Sequence, residues 1–183
     1  ASSILEMLSS MKSLSVEPGN AIEQTMFMCS AANNSTTEQA LSDAKDYTDL
    51  APKDLLDVNG FPTTYGFPGY KNYFPSKNSL LVDRLIDAGA IIIGKTNTAE
   101  LGVGGHTTNR LFGPTSNAYN ISKSAGGSSG GAGVAVATNL LPFADGTDMM
   151  GSCRTPAAFA NIYGFRPTPG LIPDYRMNPR KDN

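Results

Sequence analysis

The hydrophobic pattern of the chain is clearest between residues 79 and 93. Within residues 79–89, Leu81, Leu85 and Ala88 recur at helical spacing, which predicts an amphipathic helix with these three on its apolar face. The serine that opens this stretch can cap the helix, and the glycine that closes it can end it. The run Ala90-Ile-Ile-Ile93 follows directly and predicts a short apolar strand of the kind that parallel sheets bury.

Small residues dominate a second element at residues 131–139, where alanines and valines predict a helix that packs closely inside a core. Residues 1–50 are polar, with two short helices predicted at Ser2–Lys12 and Thr36–Asp46. Helix, apolar strand, glycine-rich loop and buried helix together predict an α/β fold, with a mixed or parallel sheet flanked by helices. We therefore divide the chain into a polar, helical N-terminal segment, residues 1–50, and a core of residues 51–183.

The composition excludes several classes of function. The formal net charge is −2 with no basic run, so the electrostatic signature of a nucleic-acid binder is missing. No apolar stretch approaches the ~20 residues of a membrane span, and residues 1–8 lack the basic n-region and long h-region that are expected of a signal peptide. One histidine and two distant cysteines, Cys29 and Cys153, give no metal-ligand spacing. Free thiols fit a reducing compartment, so a cytoplasmic location is expected.

Two segments rich in glycine and serine carry the candidate chemistry. They are Gly126-Gly-Ser-Ser-Gly-Gly131 and Gly146–Pro156, which place Ser128 and Ser152 24 residues apart. Glycine allows a tightly folded backbone whose N–H groups converge on one point, so a serine there is a natural nucleophile beside its own oxyanion hole. The single histidine, His106, lies in an ordinary polar stretch, which leaves lysine as the credible base.

Residues Gly89–Thr96 offer a different function, because they match the phosphate-binding pattern G-x-x-x-x-G-K-[ST] letter for letter. In a working phosphate loop the spacer residues form a turn between a strand and a helix. Here the spacer Ala-Ile-Ile-Ile is itself the predicted strand, and its β-branched residues resist a curled backbone. Nucleotide binding at Gly89–Thr96 is therefore a remote alternative.

The order of motifs from Lys53 onward gives a stronger indication. The motifs are Lys53-Asp54, Gly60–Thr64, Gly94–Glu100, Gly126–Gly131, Gly146–Asp148, Gly151-Ser152, Arg154, Pro156-Ala157 and Gly164–Thr168. In this order and spacing the chain resembles the amidase signature family over roughly residues 50–173. The resemblance implies a mixed sheet flanked by helices. It also implies hydrolysis of an amide-type C–N bond, in an amide, an anilide or a carbamate, without metal or cofactor.

The resemblance also implies a Ser-Ser-Lys triad. Ser152 would be the nucleophile that is acylated, Ser128 would relay the proton, and Lys53 would be the base. The family usually holds the first serine of its pair by a cis peptide bond. Lysine must be neutral to accept a proton, and burial disfavours its charged form.

The loop before the nucleophile is expected to hold the oxyanion. Its donors would be the backbone N–H groups around Met149, Met150 and Gly151, although the family usually has Gly-Gly where this chain has Met150-Gly151. Arg154 either pairs with Asp148, which we favour, or contacts an anionic group of the substrate. Ser129 is expected to support Ser128 by hydrogen bonding.

Two departures from the family leave alternatives open. The strand that normally leads into the catalytic lysine is not expected in this chain, and the C-terminal part of the family fold is expected to be truncated after the signature core. The chain could therefore be an inactive fragment or an amidase subunit that depends on a partner, and a homodimer is a further alternative. The partner expected of an active chain is a small-molecule amide or carbamate substrate, whose identity the sequence does not reveal.

Overall fold

The computed structural model describes residues 25–29, 48–168 and 171–172. Its strands are β1 (Thr25–Cys29), β2 (Thr48–Leu50), β3 (Ala90–Ile92), β4 (Phe143–Thr147) and β5 (Tyr163–Phe165), and its α-helices are α1 (Leu80–Asp87), α2 (Gly130–Ala137) and α3 (Arg154–Phe159). Among the helices of these described ranges, none is long and apolar enough to cross a membrane. The helices predicted at Ser2–Lys12 and Thr36–Asp46 lie outside the described residues.

The strands form two sheets of different type. In the three-stranded sheet β1 lies between β4 and β5 and is antiparallel to both, with Phe27 opposite Asp145 and Phe165. In the two-stranded sheet β2 and β3 are parallel, and Leu50 lies opposite Ile92. Parallel and antiparallel pairs therefore coexist with helices, which confirms the predicted α/β fold with mixed strand pairing.

The N-terminal segment contributes strands rather than helix where the structure describes it. Thr25–Cys29 is the central strand of the larger sheet, and Thr48–Leu50 leads within three residues to Lys53. The expectation that no strand precedes this lysine is wrong. A strand of three residues has too few positions to show alternation, and its pairing with β3 supplies what local propensity does not. The division of the chain at residue 50 stays a prediction.

Helix α1 forms where the pattern predicts it, with a small error in its buried face. Leu81, Val82 and Leu85 are buried, whereas Ala88 is exposed because it lies at the C-cap, after the last helical residue. The serine at the N-cap makes no side-chain capping bond. Gly89 ends the helix with φ of 97°, in the left-handed region that favours glycine, and its N–H donates to the Ile86 carbonyl at 2.9 Å.

Strand β3 is parallel to its neighbour as predicted, but it is not buried on both faces. Ala90 is buried, whereas the side chain of Ile91 is 45% exposed and that of Ile93, just beyond the strand, is 53% exposed. The prediction of full burial is wrong for this part of the chain, because within the described residues the sheet has two strands and α1 packs on one side of it.

Two hydrophobic cores meet at the chain just before Lys53. The first joins α1 to the parallel sheet and consists of Leu50, Leu56, Val58, Leu81, Val82, Leu85, Ala90 and Phe143. The second joins α2, β4 and α3 and consists of Ala51, Ala132, Val136, Leu141, Ala144, Cys153 and Ala157. Because Leu50 and Ala51 are consecutive but belong to different cores, this segment is packed from both sides.

The small residues of α2 let this helix approach the loop after β3. The predicted helix is confirmed as Gly130–Ala137, with Ala132 and Val136 fully buried. A Cβ on Gly131 would lie 2.6 Å from the backbone carbonyl oxygen of Asn97 and closer still to the backbone nitrogen of the same residue. Only glycine therefore fits at residue 131 without moving the backbone.

We expect Gly131→Ala to lower the free energy of unfolding by about 1–3 kcal/mol, because the new methyl group would overlap backbone atoms. Helix propensity alone predicts the opposite sign, a gain of about 1 kcal/mol. Gly105→Ala is the control, since a Cβ there meets nothing within 4 Å. Urea unfolding measures both variants. A Gly131→Ala protein as stable as the parent would show that the loop at Asn97 can move away.

Candidate active site

The lysine proposed as the base is held rigidly by its main chain. Lys53 forms an isolated parallel bridge with Thr96, the residue that extends the pairing of β2 with β3. The Thr96 N–H donates to the Pro52 carbonyl, and the Asp54 N–H donates to the Thr96 carbonyl, each at 3.0 Å. The side chain of Lys53 has no exposed surface. Its position is therefore set by the parallel sheet rather than by a loose loop.

The amine of Lys53 lies among three hydroxyl groups. Its Nζ is 2.7 Å from Ser128 Oγ, 2.8 Å from Ser129 Oγ and 2.7 Å from Thr147 Oγ1. Hydroxyls both donate and accept, so they can solvate either an ammonium or a neutral amine. The structure thus brings together two of the predicted triad residues and adds Thr147, which sequence reasoning included in a motif without giving it a role.

The glycine-rich loop carries Ser128 into the interior. Ser128 and Ser129 have no exposed surface, and the peptide bond between Gly127 and Ser128 is cis, as the family resemblance implies. A Cβ on Gly127 would lie 2.7 Å from backbone atoms of His106, so this close approach requires glycine. The His106 side chain itself is exposed and contacts Ser124 Oγ at 2.9 Å, away from the lysine's hydroxyls.

Ser152 lies beside this serine pair. Its carbonyl oxygen accepts a hydrogen bond from the Ser129 N–H at 3.0 Å, which joins the two glycine-serine segments. Ser152 keeps partial exposure, unlike Ser128 and Lys53. No hydrogen bond joins the hydroxyls of Ser128 and Ser152 within the described part of the chain. Catalytic hydrogen bonds often tighten only when substrate is bound, so this geometry is compatible with a relay.

The loop before α3 folds around the buried carboxylate of Asp148. Its oxygens accept the N–H of Gly151 at 2.7 Å, of Cys153 at 3.1 Å and of Arg154 at 3.2 Å. The guanidinium of Arg154 adds two contacts of 3.0 Å, so the favoured pairing of Arg154 with Asp148 is present. Burial acts to raise the pKa of Asp148, but these hydrogen bonds, led by that of Arg154, outweigh it and lower the pKa to about 2.

This network separates the predicted oxyanion donors. The Gly151 N–H donates to Asp148 in this conformation, and its role as an oxyanion donor stays a prediction. Within the described residues the structure shows no hydrogen-bond acceptor for the N–H groups of Met149, Met150 and Ser152. Gly151 instead has φ of 118°, and a Cβ there would crowd Thr155, so glycine serves the shape of the loop.

The phosphate-loop alternative fails on the geometry of Lys95. Its Nζ donates to the Leu56 carbonyl at 2.8 Å and forms a salt bridge with Asp54 Oδ1 at 3.3 Å. Burial lowers the pKa of Lys95, and Asp54 acts in the opposite direction. Residues 90–92 form β3, and no helix follows Thr96 directly. Lys95 therefore fixes the loop after Lys53, and the backbone needed to cradle a phosphate is absent from residues 89–96.

Two buried groups near the lysine have no clear signal in the sequence. Asp145, on β4, accepts the Lys53 backbone N–H with both carboxylate oxygens, at 3.3 and 3.1 Å. Cys153 lies 3.7 Å from Ser129 Oγ, and burial raises the pKa of its thiol to about 12. Among the residues that the structure describes, no group of three His, Cys, Asp or Glu side chains is arranged to hold a metal.

Comparison with known proteins bears on this arrangement directly. A family model described as Amidase matches residues 28–183, most of the chain. The chain belongs to the amidase signature family. The matched region of this amidase-family chain includes Lys53, the serine pair Ser128 and Ser129, and Ser152.

The relatives of this amidase-family chain are longer proteins. The acylamidase of Rhodococcus erythropolis is 47% identical over 121 residues, which make up 66% of this chain and 25% of that protein. A Glutamyl-tRNA(Gln) amidotransferase subunit of Methanosarcina acetivorans is 41% identical over 126 residues, 69% of this chain and 26% of that protein. The solved structure of 6-aminohexanoate cyclic dimer hydrolase complexed with substrate matches with a TM-score of 0.58 and 38% identity, covering 60% of this chain and 23% of that one. The chain thus spans about a quarter of the length of these relatives.

We expect Asp148→Asn to lower the free energy of unfolding at neutral pH by about 2–3 kcal/mol, because hydrogen bonds to a charged acceptor are lost. A lowered pKa means that the ionised carboxylate stabilises the fold above pH ~4 and that this contribution fades as the pH falls toward ~2. The difference in urea midpoint between variant and parent should therefore narrow on acidification. Asp87→Asn, on the exposed side of α1, is the matched control. A difference that does not vary with pH would contradict the electrostatic origin.

Proposed function

We propose that this chain carries the catalytic centre of a hydrolase that cleaves an amide-type C–N bond in an amide, an anilide or a carbamate. The observation that carries the proposal is the 2.7 Å contact between Lys53 Nζ and Ser128 Oγ, two groups without exposed surface. The partly exposed Ser152 is joined to the same serine pair by the backbone hydrogen bond of Ser129. A shielded base, a shielded relay and an accessible nucleophile are the parts that acyl transfer needs.

Attack begins with a neutral Lys53. Ser128 passes its hydroxyl proton to Lys53 Nζ and takes the proton of Ser152, whose oxygen forms a bond to the carbonyl carbon of the substrate. The carbonyl oxygen becomes an oxyanion, which the N–H groups of Met149, Met150 and Ser152 would receive in this proposal. Each such donor is worth about 2.7–4 kcal/mol in comparable acyl-transfer enzymes.

The same relay then works in reverse. As the tetrahedral intermediate collapses, the C–N bond breaks and the leaving nitrogen takes a proton from Ser128, which regains one from Lys53. Water, deprotonated through Ser128 and Lys53, next attacks the ester carbonyl. The bond from the carbonyl carbon to the Ser152 oxygen then breaks, that oxygen recovers the proton through Ser128, and the acid is released. Thr147 and Ser129 keep contacts to Nζ throughout, so the amine stays in place in both protonation states.

A second candidate function is the release of ammonia from an amide for use by a partner protein. The observation that favours it is the similarity to chains named as one of the subunits of Glutamyl-tRNA(Gln) amidotransferase. Tyr163 and Phe165 are exposed on β5, which within the described residues lies at the edge of the three-stranded sheet, and they would be available to another chain or to a second copy of this one. Hydrolysis of glutamine in preference to acyl anilides would favour this candidate. Analytical ultracentrifugation would separate monomer from homodimer.

We expect an active-site-directed fluorophosphonate to label Ser152, because Ser152 is the accessible serine of the triad. Ser152→Ala should abolish labelling, whereas Ser124→Ala, which removes the contact to His106, should leave it unchanged. Mass spectrometry of the digested adduct identifies the residue. A folded sample that labels at another serine, or not at all, would contradict the proposal and favour an inactive fragment.

We expect the rate of acylation to rise with pH and reach a plateau, because Lys53 must lose a proton before it can accept one. Lys53→Ala should lower the plateau by about three orders of magnitude or more and remove the rising limb, since the members of a triad act as a unit. His106→Ala should change neither, because its side chain is exposed and bonded to Ser124. Stopped-flow acylation across the pH range measures both, and a limb that survives in Lys53→Ala refutes the lysine base.

A further inference from the structure

A buried carboxylate beside the lysine has no part in the triad. Asp145 has no exposed surface, although it lies in the middle of β4 and carries an ionisable group. A charge or a polar group is rarely buried without a partner, because its hydration is lost. The partner here is the main chain of Lys53, whose N–H donates to both carboxylate oxygens at 3.3 and 3.1 Å.

This contact joins the two sheets at the position of the base. Asp145 belongs to the antiparallel sheet through β4, while Lys53 extends the parallel sheet beyond β2. On one side the main chain around Lys53 is bonded to Thr96, and on the other it meets the carboxylate of Asp145. A side chain thus takes the place of the backbone acceptor that a neighbouring strand would supply.

Strand β4 also contacts the other end of the lysine. Residues two apart in a strand share a face and lie about 6.6 Å from each other. Asp145 accepts the backbone N–H of Lys53, and Thr147, two residues on, lies 2.7 Å from its Nζ. One face of β4 therefore holds the lysine at both its main chain and its amine.

The charge of Asp145 matters as well as its shape. Burial raises the pKa of Asp145 to about 6, against the opposing effects of the Lys53 N–H and of the positive charges of Lys53 and Lys95. At neutral pH and above, where the pH profile is measured, the carboxylate is thus mainly ionised. An anion beside a lysine favours the ammonium over the neutral amine.

Other titratable groups face this pair from the surrounding elements. They are Cys153 at the start of α3, Lys95 after β3 with its partner Asp54, and Asp148 after β4 with its partner Arg154. The thiol of Cys153 is neutral in the working range, because burial raises its pKa to about 12. The two carboxylates other than Asp145 are each paired with a cation, so Asp145 is the acid whose neutralisation changes the charge beside Lys53.

We propose that Asp145 is a positioning residue for Lys53: its carboxylate holds the main chain of the lysine against β4, and its negative charge sets how alkaline the solution must be before the amine becomes a base. This inference rests on the proposed function, in which Lys53 accepts the proton of the relay. It assigns two separable properties, an acceptor and a charge, to one side chain.

Two substitutions separate these properties. Asp145→Asn keeps a carbonyl oxygen that accepts the Lys53 N–H but removes the charge. We expect its plateau rate of Ser152 phosphonylation by the fluorophosphonate, in which the serine oxygen bonds to phosphorus and fluoride leaves, to stay within about threefold of the parent, and its rising limb to move to lower pH by about one unit. Asp145→Leu has similar volume and neither property, and its plateau should fall at least about tenfold. Asp87→Asn, a charge removed from the exposed side of α1, should leave the whole profile unchanged.

The outcomes distinguish this inference from the function on which it rests. A limb that stays in place or moves to higher pH in Asp145→Asn, while Lys53→Ala abolishes it, overturns the role of Asp145 alone. A limb that persists in Lys53→Ala overturns the proposed function first. Near-ultraviolet circular dichroism checks the fold of each variant. If Asp145→Leu does not fold, the pH profile of Asp145→Asn still decides the question.

Discussion

The enclosure of one lysine amine by hydroxyl groups is the interaction on which the rest of the described structure depends. Removing Lys53 from water is costly unless its nitrogen keeps hydrogen-bonding partners, and three hydroxyls from two chain segments provide them. Bringing these segments together needs close backbone approaches. A Cβ on Gly146 would collide with the Cys153 sulfur and lie 2.9 Å from Ser129 Oγ, so a glycine in β4 is what lets Ser129 reach the amine.

The buried carboxylate of Asp148 organises the loop before α3 through a different kind of environment. Lys53 is surrounded by groups that can donate or accept, whereas Asp148 is surrounded by N–H donors. The first environment suits a group that must change its protonation state, and the second suits one that must not. The carboxylate of Asp148 accepts the N–H groups of Gly151, Cys153 and Arg154, and within the described residues those of Met149, Met150 and Ser152 have no acceptor. The shape of the proposed oxyanion hole is therefore a consequence of where Asp148 lies.

The sequence predicts those parts of the fold whose signal is local. The apolar spacing of α1, the small residues of α2 and the glycine-serine segments all led to correct elements, and the ordered motifs identified the family. Strand β2 was not predicted because three residues are too few to show a periodic pattern. The exposure of Ile91 was not predicted because it depends on which elements pack against the sheet. The sequence also gave no indication of a role for Asp145, because that role depends on its contact with Lys53, 92 residues earlier in the chain.

Exposure within the triad indicates how substrate would approach. Lys53 and Ser128 have no exposed surface, so water does not compete for the proton that they share, while Ser152 remains partly open. In the proposed triad a substrate carbonyl would therefore arrive from the side of Ser152, where Met149 is 43% and Met150 87% exposed. Methionine is unbranched and adapts its shape to a neighbouring group. Met150, which stands where the family usually has glycine, and its neighbour Met149 would thus lie where the acyl group is selected in the proposed reaction.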